Sequence, residues 1–165
     1  MPIMARDNRK EFTPAPEGLH QGVCVDVVDL GLQSTPWGEK QKVEVRWQLD
    51  QVNAETSKRF LVTKRYTLSL NEKAILRQHL EAWRGKRFTK EELEGFDLEK
   101  LLSVNCQLQV VHELSDQGRI YSNVQAIVPI GKGMTKMRGE EYVRVIDRQK
   151  AEAGPEVHSD DEVPF

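Results

Sequence analysis

The sequence predicts an all-β domain with a small helical content, in which five strands are interrupted by one helix between the third and the fourth. Five segments alternate apolar and polar residues with a period of two, and one stretch changes to a period of 3.6. Gly, Pro and Asn mark the boundaries between these segments. The 165 residues suffice for one domain with a hydrophobic core and are too few for two of ordinary size.

The first two strands are predicted on either side of a loop. The first begins at Gly18, runs through closely spaced valines for about ten residues and ends at Gly31. Residues 33–40 contain Pro, Gly and small polar residues, so we expect a loop there with Trp37 at its tip. The second strand alternates most regularly: Val43, Val45, Trp47 and Leu49 face inward, and Lys42, Glu44, Arg46 and Gln48 face solvent or a ligand.

One helix is predicted directly after the third strand. Ser69 and Glu72 have the spacing of a capping box, and Gly85 provides a stop signal. Two shorter helical turns follow, one with a capping box at residues 89–92 and one capped by Asp97. The apolar face of the first helix consists of Leu76, Leu80 and Trp83.

Three further strands complete the prediction. The third spans residues 59–70, the fourth residues 104–111, and the fifth residues 120–128. A turn at residues 116–118 joins the last two, and Pro129 ends the fifth. The inward phase of the third strand is Phe60, Val62, Tyr66 and Leu68, interrupted by Lys64.

Three strands, a helix and two strands is the order of a five-stranded OB-fold barrel. In that fold the helix plugs one end of the barrel, and the second and third strands form the ligand face. A β-sandwich has more strands, and an RRM domain needs a helix between its first two strands. The predicted organisation is a flexible N-terminal arm (1–17), the OB-fold domain (18–130), a linker with a short helix (131–150) and a disordered acidic tail (151–165).

Several classes of protein are excluded by composition and motifs. No apolar run approaches the roughly 18 residues of a membrane span, and residues 1–10 do not form a secretory signal, so we expect a cytoplasmic protein. Cys24 and Cys106 lack metal-ligand spacing and are predicted to be small buried thiols. The four histidines are scattered, and Gly131-Lys132-Gly133 lacks the third glycine of a dinucleotide motif. We therefore expect no catalytic residue, no metal and no cofactor.

The second and third strands combine cations with aromatic side chains, as single-strand-binding surfaces do. Trp37 is the first candidate for stacking on a base, because an indole at a loop tip is seldom part of a core; Tyr66 and Tyr121 are further candidates, for which core or rim packing is the alternative. Trp47 and Trp83 lie in apolar phases and are assigned to the core. The candidate cations are Lys40, Lys42, Arg46, Arg59, Lys64 and Arg65, although alternating Lys and Arg also occur on ordinary solvated strands.

Charge is divided unevenly along the chain. The whole chain carries −2 and residues 151–165 carry −5 with no Lys or Arg, so residues 1–150 carry +3. A mildly basic body with an acidic end is typical of nucleic-acid binding combined with a competing or recruiting tail.

The acidic end resembles the C-terminal peptide of bacterial single-stranded DNA-binding proteins, Asp-Asp-Asp-Ile-Pro-Phe. That resemblance implies recruitment of replication and recombination proteins, and a tail that folds back on the DNA groove. Phe165 provides an aromatic anchor for an apolar pocket with a basic rim, and the acidic residues steer it there. The predicted partner-binding residues are Asp160, Asp161, Glu162, Val163, Pro164 and Phe165.

The body resembles a family of small phage proteins regarded as single-stranded DNA-binding proteins. The resemblance covers residues 18–130 and is carried by Tyr66-Thr67-Leu68-Ser69-Leu70, Leu80-Glu81-Ala82-Trp83-Arg84-Gly85, Phe88-Thr89, Phe96-Asp97-Leu98 and the strand from Val104 to Val111. It implies an OB-fold and a phage origin.

The sequence thus predicts a non-catalytic, largely sequence-independent single-stranded DNA-binding protein that acts in DNA replication, recombination or repair. One alternative is an OB-fold adaptor that binds no nucleic acid and uses its acidic tail to occupy pockets of host proteins. Another is a nuclease, which the scattered carboxylates disfavour. Whether the chain forms a homo-oligomer is left open.

Overall fold

The computed structural model describes residues 3, 5 and 13–153, with side chains up to residue 149. Residues 154–165, and with them the whole predicted partner-binding peptide, lie outside the described residues. The elements are β1 (Gly18–Thr35), β2 (Gly38–Asn53), β3 (Lys58–Thr67), α1 (Ile75–Arg84), α2 (Lys90–Glu94), a 3-10 helix (Leu98–Leu101), β4 (Asn105–Leu114), β5 (Ile120–Val128) and α3 (Val145–Ala153).

The five strands form one antiparallel sheet with the order β3-β2-β1-β4-β5. The mostly β class and the order of three strands, helix and two strands are confirmed. In the described part of the chain no backbone ladder joins the edge strands β3 and β5, so the sheet is not closed into a barrel. One side-chain hydrogen bond spans the gap between these two edge strands, which we call the seam: Lys64 Nζ on β3 donates to Asn123 Oδ1 on β5 at 2.8 Å.

The core lies where the period-two pattern placed it. All four residues of the inward phase of β2 are buried, and α1 packs Leu76, Leu80 and Trp83 against the sheet. The rings of Trp47 and Trp83 lie 6.0 Å apart, and the Trp83 indole donates to the Asn105 carbonyl at 3.0 Å. Both cysteines are free and buried as predicted, and burial raises the pKa of Cys24 to about 12.

The junction between the first two strands differs from the prediction. β1 does not end at Gly31 but continues to Thr35, because Gly31 takes a positive φ of 68° at a register shift and lets the strand bulge. Thr35 pairs directly with Gly38, so the expected loop is a two-residue turn of Pro36 and Trp37. The two strands therefore form a long hairpin.

The start of α1 also differs from the prediction, whereas its end does not. The helix begins at Ile75, and Ala74 at the N-cap supplies no side-chain hydrogen bond. Ser69 Oγ instead accepts from the Asn71 amide in a local turn, which is the usual competitor of a cap. Gly85 ends α1 in the left-handed region as expected, and the capping box of Thr89 and Glu92 is formed at α2. β3 ends at Thr67, and Leu68 is exposed rather than core.

The predicted N-terminal arm and the predicted linker are both packed against the sheet over part of their described length. In the N-terminal arm Ala15 is buried, and its carbonyl accepts from the Ser122 hydroxyl and bonds with a ring nitrogen of His112. In the predicted linker, residues 135–144 lie over the outer face of the sheet, where they bond with Asp26 on β1, Gln48 on β2 and Asn105 on β4. We call this segment the strap. Among the described helices, none has the length and apolar character needed to cross a membrane.

Candidate nucleic-acid interface

Trp37 lies at the tip of the β1–β2 hairpin and is 84% exposed. Its amide donates to Thr35 Oγ1 at 3.2 Å, which fixes the turn while the indole stays outside the core. β2 pairs with β3 only from Lys42 onward, so the tip projects roughly 16 Å beyond the three-stranded part of the sheet. Trp37 therefore lies outside the core at the tip of the hairpin, as predicted.

Three of the predicted cations lie on the part of the outer face nearest this tip. Lys40 is exposed, and Lys42 is half-buried with its ammonium donating to Thr67 Oγ1 at 2.6 Å. The Arg65 side chain is 69% exposed and lies 3.2 Å from Glu44 Oε1. We call the surface formed by Trp37, Lys40, Lys42 and Arg65 the open half.

A cleft of about 420 Å³ lies at the seam between β3 and β5 and brings together three predicted site residues, Lys64, Arg65 and Tyr121. Burial lowers the pKa of Lys64, which donates to Asn123. The Tyr121 ring is exposed, and its hydroxyl donates to Glu113 Oε2 at 2.8 Å. The cleft therefore combines cations, a ring and amide groups next to the open half.

Glu44 and Gln48 are not on a solvated face, contrary to the prediction. Glu44 is only 5% exposed because the guanidinium groups of Arg46 and Arg65 bond with its carboxylate, at 2.7 and 3.2 Å. Gln48 is buried beneath the strap. Strand alternation correctly separates the two faces of β2, but it does not indicate that part of the outer face is covered.

Two amide side chains hold the strap by bonding with its backbone on both sides. Gln48 donates to the Glu140 carbonyl at 2.6 Å and accepts from the Glu140 amide at 2.8 Å. Asn105 does the same with Met137, at 3.0 and 2.7 Å. Each side-chain amide thus supplies the two hydrogen bonds that a neighbouring β-strand would otherwise give to these backbone groups.

The buried carboxylate of Asp26 fastens the end of the strap. Asp26 is 1% exposed and accepts from the Tyr142 hydroxyl at 2.7 Å, Arg144 Nε at 3.0 Å and the Val145 amide at 2.9 Å. Burial opposes ionisation of this carboxyl, but the bonds from Val145, Tyr142 and Arg144 outweigh it and lower the pKa of Asp26. Arg144 also pairs with Glu99 at 2.9 Å.

Two predicted site cations are engaged by the strap. Arg46 pairs with Glu44 and donates to the Tyr142 hydroxyl at 3.3 Å. Arg59 pairs with Glu140 at 3.0 Å and donates to the Arg138 carbonyl at 2.6 Å. Both side chains are mostly buried, so they belong to a covered half of the outer face, with Gln48 and Asp26.

Tyr66 is a core residue and not a stacking candidate. It is 3% exposed, and its hydroxyl lies 2.7 Å from Nδ1 of His79. Burial raises the pKa of Tyr66; burial and the charge of Lys64 lower the pKa of His79 to about 4. The tyrosine therefore donates to a neutral imidazole. This position was ambiguous in the sequence because Tyr66 shares the inward phase of Val62.

The residues that hold the strap were not identified from the sequence. The signal for Asp26 was available, since it is a lone carboxylate in a run of valines. Among residues 135–145, Met137, Tyr142, Val143 and Val145 are more apolar than a linker requires.

In the described part of the chain, no group of three or more His, Cys, Asp or Glu is placed to hold a metal ion. No protein-family model matches this chain, and a search of curated proteins finds no match either.

Proposed function

We propose that this protein binds single-stranded DNA through the open half and protects it during replication, recombination or repair. The observation that carries this proposal is the exposed Trp37 at the end of a basic strand surface. Bases stack on an exposed ring for about 1–3 kcal/mol each whatever their sequence, while Lys40, Lys42 and Arg65 follow the phosphates. Tyr121 offers a second ring at the seam cleft.

An OB-like architecture is part of the same proposal. β1, β2 and β3 form a meander, β1 also pairs with β4, and the helix α1 lies between β3 and β4 in the chain. These features agree with an OB-fold, whose binding face consists of the second and third strands and the neighbouring loops. The bond between Lys64 and Asn123 draws the two open edges together.

Recruitment of partners is proposed for the acidic peptide at residues 160–165, on the basis of its likeness to bacterial single-stranded DNA-binding proteins. Phage origin rests in the same way on the likeness of residues 18–130 to the phage proteins. Acidic residues that steer and an aromatic residue that anchors are a common form of peptide recognition.

The test is a titration of the full chain with (dT)20, followed by tryptophan fluorescence and by anisotropy of a labelled oligonucleotide. We expect quenching in the wild type and little in Trp37→Phe, because Trp47 and Trp83 are buried. Trp37→Phe should bind nearly as well as the wild type, whereas Trp37→Ala should bind about tenfold more weakly, consistent with the loss of one stacked base.

Affinity for (dT)20 should also fall steeply with salt, because bound phosphates release counterions. An affinity that does not change between 50 and 200 mM salt, or equal binding by Trp37→Ala and the wild type, contradicts the proposal.

The adaptor alternative is favoured by one observation, the covering of Arg46 and Arg59 by the strap. If the rest of the outer face is also covered by other segments of the protein, it is a packed surface and offers no groove for DNA. The same titration separates the two functions, since an adaptor shows neither quenching nor a salt-dependent anisotropy change. Metal-dependent cleavage of the labelled oligonucleotide would instead indicate the nuclease.

A further inference from the structure

A second groove borders the strap on the side of α1 and the 3-10 helix. Two cavities, of about 600 and 770 Å³, share Ser103, Asn105 and Lys136 as lining residues. The two cavities adjoin at these residues, and we call them together the strap groove. None of the residues predicted from the sequence to contact DNA lines it.

One end of the strap groove is mainly apolar, although the ion pair of Arg84 and Glu92 also lines it. Its walls include Trp83, Phe96, Val104 and Ile130, and Val104 is exposed although it is a large hydrophobic residue. Lys100 lies over the Phe96 ring, with its ammonium 5.6 Å from the ring centre. An apolar cavity of this size with an aromatic wall and a cation at its rim suits a planar, partly charged group such as a nucleobase with its phosphate.

The other end of the strap groove is cationic. Lys136 and Arg138 are exposed, and within residues 13–149 neither side chain has an ion-pair partner. Arg144 also lines this end, but it is committed to Asp26 and Glu99. Lys136 and Arg138 are therefore the cations that can take up phosphates.

The backbone at the middle of the groove is unusual. Ser103 has a φ of 68°, in the left-handed region that residues other than glycine seldom adopt, and its amide donates to the Cys24 carbonyl at 2.8 Å. Such conformations concentrate at binding sites, where the surrounding structure maintains them.

We propose that the strap groove is a second contact region for the same single DNA strand, with phosphates on Lys136 and Arg138 and a base in the apolar end. The inference rests on the proposed function. The strap lies between the groove and the covered half, since Arg138 lines the groove and its carbonyl accepts from Arg59 on β3. An aromatic wall beside two exposed cations favours a nucleic acid, which carries a base for each phosphate, over an acidic peptide as the occupant.

The experiment compares the full-length double variant Lys136→Ala/Arg138→Ala with the wild type in (dT)20 anisotropy titrations at several salt concentrations. Removing two phosphate contacts should make the slope of log K against log [salt] less steep by about 1.4 and weaken binding about tenfold at low salt. Lys73→Ala/Lys90→Ala is the matched control, since both lysines are exposed and lie outside the groove. We expect the control to keep the wild-type slope.

The outcomes separate this proposal from the proposed function. If no variant and not even the wild type binds (dT)20, the proposed function fails, and the groove proposal fails with it. If the wild type binds and Lys42→Ala/Arg65→Ala weakens binding while Lys136→Ala/Arg138→Ala does not, the function stands and the groove proposal is wrong. Binding of a Glu-rich peptide that depends on Lys136 and Arg138, without any effect on DNA, also overturns it.

Discussion

The open and covered halves of the outer face both carry charged and polar side chains, but their surroundings are opposite. In the open half, Lys40 is exposed and Trp37 projects from the turn. In the covered half, Gln48 and Asp26 are buried beneath the strap, each with several hydrogen bonds. A polar residue that faces outward on a strand is therefore available to a ligand only where no other segment of the chain already covers it and forms its hydrogen bonds.

The covered half is held mainly by polar contacts. Gln48 and Asn105 each bond with a backbone amide and a carbonyl of the strap, and Asp26 accepts three bonds. Each such bond contributes only about 1 kcal/mol net, but leaving a buried partner unpaired costs more. The strap should therefore remain in place until several of these contacts are lost together.

The largest expected effect is that of Asp26→Ala, which tests whether the covered half depends on its buried carboxylate. The change leaves the Tyr142 hydroxyl and the Val145 amide without their acceptor, and it removes one of the two carboxylates that pair with Arg144. We expect the free energy of unfolding to fall by about 3 kcal/mol, measured by urea denaturation.

Asp50→Ala serves as the control, because Asp50 lies on the same hairpin but is exposed. Its loss should change the stability by less than about 0.5 kcal/mol. If Asp26→Ala is equally mild, the strap is not fastened by this residue, and the distinction between the two halves weakens.

Local patterns predicted most of the fold. Period-two alternation identified the buried face of β2, and Leu76, Leu80 and Trp83 identified the buried face of α1. The errors at Gly31 and at the start of α1 have local causes, whereas those on the outer face involve contacts between residues far apart in sequence. The bonds of Gln48 with Glu140 span 92 positions, and no local pattern around residue 140 indicates them.

The candidate site was predictable to the extent that turn chemistry determines it. Pro36 and Gly38 around Trp37 indicated a reversal of the chain, and a reversal places an indole outside the core. Arg46 and Arg59 were not distinguishable from Lys42 and Arg65, since all four are cations on the outward phase. Only the course of the strap separates the covered pair from the open pair.

Two matched double variants test the distinction between the open and the covered half by their affinity for DNA. Lys42→Ala/Arg65→Ala removes two cations of the open half and should weaken (dT)20 binding about tenfold, with a less steep salt dependence. Arg46→Ala/Arg59→Ala removes the same charge from the covered half. Because these two side chains are mostly buried and bond with Tyr142, Arg138 and Glu140 of the strap, this double variant should change the affinity less than about threefold.

Anisotropy titrations at 50 mM salt measure both effects, and urea unfolding checks that each variant is folded. Equal losses of affinity from the two pairs would mean that DNA displaces the strap. In that case the covered half belongs to the interface, and the boundary between the halves is not fixed.

The smallest effect concerns pH, because the two halves depend on groups that titrate in different ranges. Behind the open half, Tyr66 on β3 bonds with a neutral His79, whose pKa is lowered from 6.5 to about 4. As the pH falls, His79 is protonated near pH 6.5 in the unfolded chain but only near pH 4 in the folded chain. The free energy of unfolding therefore decreases as the pH falls from 6.5 to 4. The pKa of Asp26 is lowered below its ordinary 3.8, so its contribution is lost only at more acidic pH.

His79→Gln isolates the histidine, because glutamine offers Tyr66 an acceptor and does not titrate. Between pH 7 and pH 4.5 the wild type should lose about 1 kcal/mol more stability than the variant, a figure reduced for the partial exposure of the ring. Urea unfolding at the two pH values measures the difference, and the Asp26 contribution cancels because both proteins retain that carboxylate. Equal losses would mean that the pKa of His79 is the same in the folded and the unfolded chain. The core behind the open half would then be no more sensitive to acid than the covered half.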